Sequence, residues 1–169
     1  SKKILHTVSP DKDVDGLHPR NLGLLLEGNP NFIPCTPYGI LEILKHYAIP
    51  VSGRHAVIVG RSNIVGLPMS ILMAQKSYPG NCTVTLTHSR TQNLNEITKT
   101  ADILIVALGK AEFVTADMVK DGVCIIDVGI TRVKSDKTKS GWKLLGDVAF
   151  ESVKDKCSFI TPVPGGVGP

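Results

Sequence analysis

The stretch His55-Ala-Val-Ile-Val-Gly-Arg-Ser-Asn-Ile-Val-Gly-Leu-Pro-Met69 decides the fold predicted for this chain. Its four consecutive apolar residues, 56–59, are typical of a strand that is covered on both faces. Gly60 permits a tight turn, Gly66 lets a helix lie close to the strand, and Pro68 suits a first helical turn. Free N–H groups and the positive dipole at such a helix start favour a phosphate. The stretch therefore predicts a dinucleotide-binding strand–turn–helix unit, although its glycine spacing departs from G-x-G-x-x-G and is a weak signal alone.

Strand-like and helix-like segments alternate after this unit. Strands are predicted over 82–88, 102–108 and 123–130, with helices over 67–76 and 93–100. Continuous apolar strands that alternate with helices predict an α/β fold, a Rossmann-like parallel sheet wrapped by helices. Ligands of such sheets bind at the carboxyl ends of the strands. Those ends are expected at Gly60–Ser62, His88–Arg90, Gly109 and Gly129–Ile130.

The elements predicted outside this alternation are shorter. Thr36 and Pro37 suit the N-cap and the first position of a helix. Thr115 suits the cap of a short helix through Lys120, and the polar stretch 134–141 is typical of an exposed hairpin loop. The remaining elements are a helix over 19–26, an edge strand over 142–148, a short helix over 151–156, and a defined Gly- and Pro-rich loop over 158–169.

The composition indicates a soluble globular domain. The 169 residues are 42% apolar and 20% charged, as is usual for such proteins. The net charge of +4 is modest and dispersed, so no nucleic-acid partner is expected. No signal peptide or membrane-spanning run is recognised, so a cytoplasmic location and no membrane partner are expected. The four cysteines are predicted to be buried free thiols, and no metal is implied.

The residues at the end of the second strand bear on the choice between NAD and NADP. NAD-binding sheets usually carry Asp or Glu there to hold the ribose 2′-hydroxyl, whereas this chain has His88-Ser89-Arg90-Thr91. Because Arg61 follows the first strand, two guanidiniums and a hydroxyl can converge on a 2′-phosphate. This pattern favours NADP, and the alternative is that Arg61 and Arg90 are solvated surface charges. His88 is interpreted as a structural histidine in preference to a ligand.

Six segments together resemble one known family. They are Asp13–Gly16, Pro34–Pro37, Gly53–Met69, Asp127–Ile130, Gly146–Val148 and Thr161–Pro169. In this order they are similar to the bifunctional methylenetetrahydrofolate dehydrogenase/methenyltetrahydrofolate cyclohydrolase (FolD) family, and the resemblance covers essentially the whole chain. The central segment and the last one, Thr-Pro-Val-Pro-Gly-Gly-Val-Gly-Pro, are the most specific.

The resemblance implies a reaction and a set of contacts. Hydride would pass from the one-carbon bridge of 5,10-methylenetetrahydrofolate to NADP, and the methenyl product would be hydrolysed to 10-formyltetrahydrofolate. The family's cofactor contacts carry over onto Gly60, Arg61, Ser62, Ser89 and Ile130, and Arg90 is added here from its charge. The tetrahydrofolate contacts carry over onto Asp15 and the loop residues Pro164, Gly165, Gly166, Val167 and Gly168. A homodimer through the nucleotide domain is also implied.

The chemistry of these residues agrees with the implied folate contacts. A pterin ring offers N–H donors in pairs, which a carboxylate such as Asp15 can accept, and a glycine-rich loop over 164–168 lets a flat ring approach the backbone. Without the resemblance, Asp13 and Asp15 would be interpreted as part of a solvated loop, and 164–168 as an ordinary turn.

One family feature has no counterpart in this chain. The family's N-terminal domain carries a Tyr-x-x-x-Lys motif whose Lys transfers the proton, and nothing here matches it. No catalytic residue is therefore assigned. Residues 1–35 are predicted to be an interdomain segment and hinge, and residues 36–169 an NADP-binding domain truncated at its C-terminus. We expect a fragment that supplies the NADP site and one wall of the folate cleft but lacks cyclohydrolase activity alone.

Two other functions stay open from the sequence. The first is another nicotinamide-dependent enzyme, such as an amino-acid or shikimate-type dehydrogenase, against which the Pro-Gly-Gly-Val-Gly run at 164–168 argues. The second is a non-catalytic NADP-binding module, which would apply if 169 residues were the whole protein.

Overall fold

Strands and helices alternate along the part of the chain that the structure, a computed structural model, describes: residues 7–136 and 138–168. The strands are β1 His55–Val59, β2 Thr83–Thr87, β3 Ile103–Val106, β4 Val123–Asp127, β5 Thr131–Lys134, β6 Trp142–Leu145 and β7 Cys157–Ile160. The α-helices are α1 Pro19–Glu27, α2 Cys35–His46, α3 Gly66–Ala74, α4 Leu94–Lys99 and α5 Phe150–Val153. Single 3₁₀ turns span Pro10–Lys12, Ala116–Met118 and Lys154–Lys156.

Five of these strands form one parallel sheet in the order β2-β1-β3-β4-β7. The chain leaves β1 through α3 to reach β2 on one side, then returns through α4 to β3 on the other side of β1. The strand order thus reverses between β1 and β3, and ligands of such sheets bind in the crevice at this point. The predicted Rossmann-like α/β fold is confirmed.

Both faces of the sheet are buried, which explains the continuous apolar strands. On one face, side chains such as Ile58 and Ile105 pack with α1, α2 and α3. On the other, Val57 and Leu104 pack in a second cluster with Met118 and the region of α5. Side chains alternate between the two clusters because the strand repeat is two residues. The burial of each such side chain stabilises the folded state by about 1.5–3 kcal/mol.

Helix α1 belongs to this core although it lies in the predicted hinge segment. Leu25 is fully buried with residues of α2 and α3, and its carbonyl oxygen accepts a hydrogen bond from Gln75 Nε2 at 2.5 Å. Residues 19–27 therefore pack into the same core as the main sheet. The boundary at residue 35 stays a prediction, and residues 1–6 and 169 of the predicted domains lie outside the described residues.

Two predictions of helix-capping side chains are wrong. Helix α2 begins at Cys35 because Pro34 O accepts the bond from Tyr38 N at 2.9 Å, so Thr36 lies inside the first turn and caps nothing. The helix predicted after Thr115 is only one 3₁₀ turn, and Thr115 Oγ1 donates to Asp117 Oδ1 at 2.5 Å without capping it.

The prediction for the last third of the chain is wrong in three places. The predicted edge strand 142–148 ends at Leu145 and pairs antiparallel with β5, outside the main sheet. Strand β5 itself was not expected. The predicted loop over 158–169 overlaps β7, which is the edge strand of the main sheet. A four-residue strand is too short for a periodic pattern, so only its pairing with β4 defines β7.

The cysteines follow the prediction only in part. All four are free thiols, but Cys35 is exposed, and only Cys124 is fully buried. No helix among the described residues has the length and apolar character needed to cross a membrane.

Candidate functional site

The turn after β1 is held by two glycines that leave no room for a side chain. Gly60 has φ +121°, and a Cβ there would overlap Ala107 O at the end of β3. A Cβ at Gly66 would overlap the carbonyl oxygen of Gly60, so α3 rests directly on the turn. Gly60 N also donates to Thr87 O at 3.1 Å. The carboxyl ends of β1, β2 and β3 therefore meet at this turn, as the glycine pattern predicted.

The N–H groups at the start of α3 are already occupied, contrary to the sequence-based expectation. Ser62 Oγ accepts hydrogen bonds from Val65 N at 3.1 Å and Gly66 N at 3.4 Å. Ser62 O accepts from Leu67 N at 3.0 Å, and Pro68 has no N–H. Within the described residues, the backbone N–H groups of 61–64 donate to no protein acceptor. An anion at this end would meet the loop 61–64 and the exposed Arg61.

The turn after β2 brings Ser89 and Arg90 to the same edge. His88 organises this turn: its N–H donates to Thr91 Oγ1 at 2.9 Å, and its Nδ1 accepts from Arg90 N at 3.1 Å. The structural interpretation of His88 fits these bonds. The side chains of Ser89 and Arg90 are exposed, as is Arg61 across the Gly60–Thr87 contact. The structure thus brings both arginines to one rim of the sheet.

Ile130 and the glycine-rich loop line one cleft. The cleft has a volume of about 110 Å³, and its walls are Thr36, Asp127, Val128, Ile130 and residues 162–168. Ile130 is 60% exposed although it is apolar, so its side chain is available to a flat apolar ligand. Gly165 has φ +94°, and a Cβ at Gly166 would overlap Pro162 O. The structure therefore joins a predicted cofactor residue with all five predicted residues of the folate loop.

Asp15 lies beside this cleft without lining it. Its Oδ1 accepts a hydrogen bond from Cys35 Sγ at 3.4 Å, and Cys35 adjoins the cleft residue Thr36. The other carboxylate of the loop has a structural contact set: Asp13 is buried and accepts bonds from His18 N at 2.7 Å and Asn21 Nδ2 at 2.9 Å. The two carboxylates of the Asp13–Gly16 motif are therefore separated, and only Asp15 is exposed.

Sequence reasoning missed a buried carboxylate at the end of β4. Asp127 is 4% exposed, and its Oδ1 accepts from Gly129 N at 2.9 Å and Asp147 N at 3.0 Å. Its Oδ2 accepts from Val148 N at 3.0 Å, and its own N–H donates to Thr161 Oγ1 at 2.8 Å. Burial raises the pKa of Asp127. Asp127 joins the turn before Ile130 to Thr161, at the base of the loop 162–168.

A second buried carboxylate was missed as well. Asp147 is fully buried, and its oxygens accept three consecutive N–H groups after β3: Leu108 at 2.6 Å, Gly109 at 2.8 Å and Lys110 at 2.8 Å. The available signal was the presence of both aspartates in the motifs Asp127–Ile130 and Gly146–Val148, but only the fold shows what these carboxylates hold.

Comparison with known proteins identifies the family. A family model described as tetrahydrofolate dehydrogenase/cyclohydrolase, NAD(P)-binding domain, matches residues 34–169. The chain belongs to this family. Membership confirms the predicted resemblance and a nicotinamide nucleotide as the cofactor class.

Relatives and solved structures agree with the family assignment. The bifunctional protein FolD of Cytophaga hutchinsonii is 58% identical over 168 residues, which are 99% of this chain and 58% of the relative. The crystal structure of the bifunctional enzyme FolD from Campylobacter jejuni matches with a TM-score of 0.89 and 46% identity, over 99% of this chain and 56% of that one. The FolD of Trypanosoma brucei, complexed with NADP cofactor and inhibitor, matches with a TM-score of 0.90 and 37% identity, over 99% of this chain and 57% of that one. The chain thus spans less than two thirds of the length of these relatives.

Proposed function

We propose that this chain is the NADP-binding part of a 5,10-methylenetetrahydrofolate dehydrogenase/5,10-methenyltetrahydrofolate cyclohydrolase. The observation that carries the proposal is the cleft between Ile130 and the loop 162–168 at the carboxyl edge of the sheet. The residues of this cleft can form one wall of the site in which a nicotinamide ring and a pterin meet, as hydride transfer requires. Family membership and the FolD relatives support the same reaction.

The two walls of the cleft and the neighbouring Asp15 have distinct roles in the proposed reaction. NADP, when bound, accepts the hydride from the one-carbon bridge of the folate. Ile130 offers an apolar surface that excludes water from the reacting centre. The loop 164–168 lets a flat ring approach the backbone, and Asp15 accepts N–H donors of the pterin. In this proposal the chain binds and orients NADP and the folate, and residues outside the chain transfer the proton in the hydrolysis.

The choice of NADP over NAD rests on the rim formed by Arg61, Ser62, Ser89 and Arg90. Both guanidiniums are exposed on one edge, and no carboxylate follows β2 to hold a 2′-hydroxyl. A 2′-phosphate would receive charge-assisted bonds from arginine and hydrogen bonds from the serine hydroxyls. The N–H groups of 61–64 provide further donors for a phosphate.

The substitution Arg61→Gln tests this function in the 169-residue chain. Calorimetry should show NADP affinity reduced at least about tenfold, as expected when a charge-assisted phosphate contact is lost, with little change for NAD. The matched control is Arg54→Gln, since Arg54 is an exposed arginine before β1, at the opposite end of the strand. Equal affinity of the Arg61→Gln variant and the unchanged chain for NADP would contradict the assignment, and absence of NADP binding by the unchanged chain would overturn the function.

The remaining parts of the proposal concern the larger protein. We propose that the 169-residue chain alone does not hydrolyse methenyltetrahydrofolate above the spontaneous rate, and that joining the upstream domain of a FolD relative restores turnover. We also propose a homodimer through this domain, which sedimentation equilibrium would test. Hydrolysis by the isolated chain, or a monomer at all concentrations, would contradict the respective proposal.

A further inference from the structure

Asp127 and Asp147 form a continuous set of hydrogen bonds from the loop after β3 to the two walls of the cleft. Asp147 holds the loop after β3 through three consecutive N–H groups, 108–110. Asp127 in turn holds the backbone of Asp147 and Val148 through its own carboxylate. The two side chains therefore act in series, and the position of the β3 loop depends on both.

The same connection reaches the two walls of the cleft. Asp127 Oδ1 accepts from Gly129 N, the residue before Ile130. The N–H of Asp127 donates to the hydroxyl of Thr161, which begins the Gly- and Pro-rich loop. Hydrogen bonds to Asp127, at the end of β4, thus hold both the wall at Ile130 and the wall at 162–168 in place.

The two carboxylates are tightly enclosed by neighbouring atoms, so their positions are restricted. A Cβ at Gly129 would overlap the carboxylate of Asp147, and a Cβ at Gly146 would overlap the carboxylate of Asp127. Both carboxylates are almost fully buried, and each accepts three backbone N–H bonds. Such carboxylates hold a backbone firmly, because every donor that lost its acceptor would be left unpaired in a buried site.

We propose that Asp127 and Asp147 are positioning residues for the nicotinamide half of the cofactor and for the folate loop. This inference rests on the proposed function. Both residues lie at the β3–β4 half of the sheet, whereas Arg61, Ser62, Ser89 and Arg90 lie at the β1–β2 half. Loss of either carboxylate should therefore weaken binding of the nicotinamide half and leave the 2′-phosphate half unchanged.

The test compares two ligands on the 169-residue chain. NADPH binding is followed by its nicotinamide fluorescence, and adenosine 2′,5′-bisphosphate, which lacks the nicotinamide half, is measured by calorimetry. In Asp127→Asn and Asp147→Asn, an NH₂ group faces backbone donors in place of an acceptor. NADPH affinity should fall about tenfold or more, with a loss of the fluorescence change, while the affinity for the bisphosphate changes less than about twofold.

The matched control is Asp102→Asn at the opposite end of the sheet. Asp102 also accepts a backbone N–H, from His55 at 2.9 Å, but it follows α4 and precedes β3. This variant should keep the affinity of the unchanged chain for both ligands. Equal losses of both ligands in Asp127→Asn and Asp147→Asn would overturn the proposal, because a general loss of structure affects both halves of the site.

A second pair of variants keeps the proposal testable if an aspartate variant fails to fold, which the absence of a cooperative unfolding transition would show. Thr161→Val removes the hydroxyl that accepts the Asp127 N–H, and Thr161→Ser retains it. Thr161→Val should reduce the affinity for NADPH but not the affinity for the bisphosphate. Thr161→Ser should bind NADPH as tightly as the unchanged chain does. NADPH affinity that is unchanged by Thr161→Val would overturn the proposal. Failure of the unchanged chain to bind the bisphosphate would instead overturn the NADP site, and this inference with it.

Discussion

Ser62 shows how one side chain can serve the turn before any ligand binds. Its hydroxyl accepts from Val65 N and Gly66 N, so it caps the start of α3 from outside the helix. The same hydroxyl is a predicted cofactor contact. Because an oxygen that accepts two N–H bonds still has its O–H to donate, both roles are compatible. The residue type was predictable, but the capping bonds depend on how the turn folds.

Cysteine reactivity is the prediction that belongs to the residue scale. In the native chain, one thiol should react with Ellman's reagent well before the others, and it should be Cys35, which is exposed. Burial raises the pKa of Cys82 to about 11 and that of Cys124 to about 12, so these thiols rarely ionise. Burial also raises the pKa of Cys157 to about 11.

The Cys35→Ser variant is the control for this prediction, since it should lack the rapid reaction. The hydrogen bond to Asp15 raises the pKa of Cys35, so Asp15→Asn should accelerate that reaction. Rapid modification of two or more thiols in the folded chain would contradict the assignment.

The unit of β1, its turn and α3 determines the geometry of the site at the scale of elements. The helix comes so close to the turn that its first residue touches the Gly60 carbonyl. Helix α3 also presents Met69 and Met73 to the core, so its position is fixed from both ends. Gly60 and Gly66 are required in this unit because neighbouring backbone atoms leave no room for a Cβ at either position.

The substitution Gly66→Ala is the prediction at this scale. The added methyl would overlap backbone atoms of Gly60 and Arg61, so the free energy of unfolding should fall by about 1–3 kcal/mol. The measurement is urea denaturation followed by circular dichroism.

Gly23→Ala is the matched control for Gly66→Ala. Gly23 lies within α1 with no atom near its absent Cβ, so alanine there should stabilise by about 0.5–1 kcal/mol. A Gly66→Ala variant as stable as the unchanged chain would show that the turn can move away from the helix.

The two ends of the main sheet carry different kinds of residue at the scale of the whole molecule. The carboxyl end carries the loops of the cleft, and the amino end carries ties such as the Asp102 carboxylate, which accepts from His55 N at 2.9 Å and from Lys120 Nζ at 2.5 Å. These bonds lower the pKa of Asp102 below its ordinary value of 3.8. The hydrogen bonds of Asp102 thus stabilise the fold at the amino end of the sheet, and none of them involves a residue of the cleft.

The pH dependence of stability is the prediction at this scale. Because the pKa of Asp102 is lower in the folded state, its contribution is present above pH 3.8 and is lost as the pH falls through the folded value. Asp102→Asn should therefore lower stability at pH 7 by about 1 kcal/mol or less, since solvent screens the partly exposed pair.

Thermal melts of both chains between pH 7 and pH 2.5 would measure this effect. The difference in Tm between the unchanged chain and Asp102→Asn should be greatest at pH 7 and should shrink below pH 3.8. A difference that grows toward low pH would contradict the direction of the pKa shift. NADP binding at pH 7 should be equal in the two chains.

The sequence by itself determined the sheet, because buried parallel strands must be apolar along their whole length. The runs at β1, β3 and β4 therefore stand out, as do the glycines that allow close approach of α3. Family motifs added the proposed contacts at Arg61, Ile130 and the loop 164–168. The order of the strands followed from these alternating segments only in outline.

The tertiary structure alone decided which of these residues meet. Strands β5 and β7 are too short to show a period, and they exist through pairing with distant partners. The roles of Asp127 and Asp147 depend on N–H groups up to 39 residues away, which no local pattern reveals. A strand or a turn can be predicted from neighbouring residues in the sequence. The role of a buried carboxylate depends on the backbone N–H groups that the fold brings next to it.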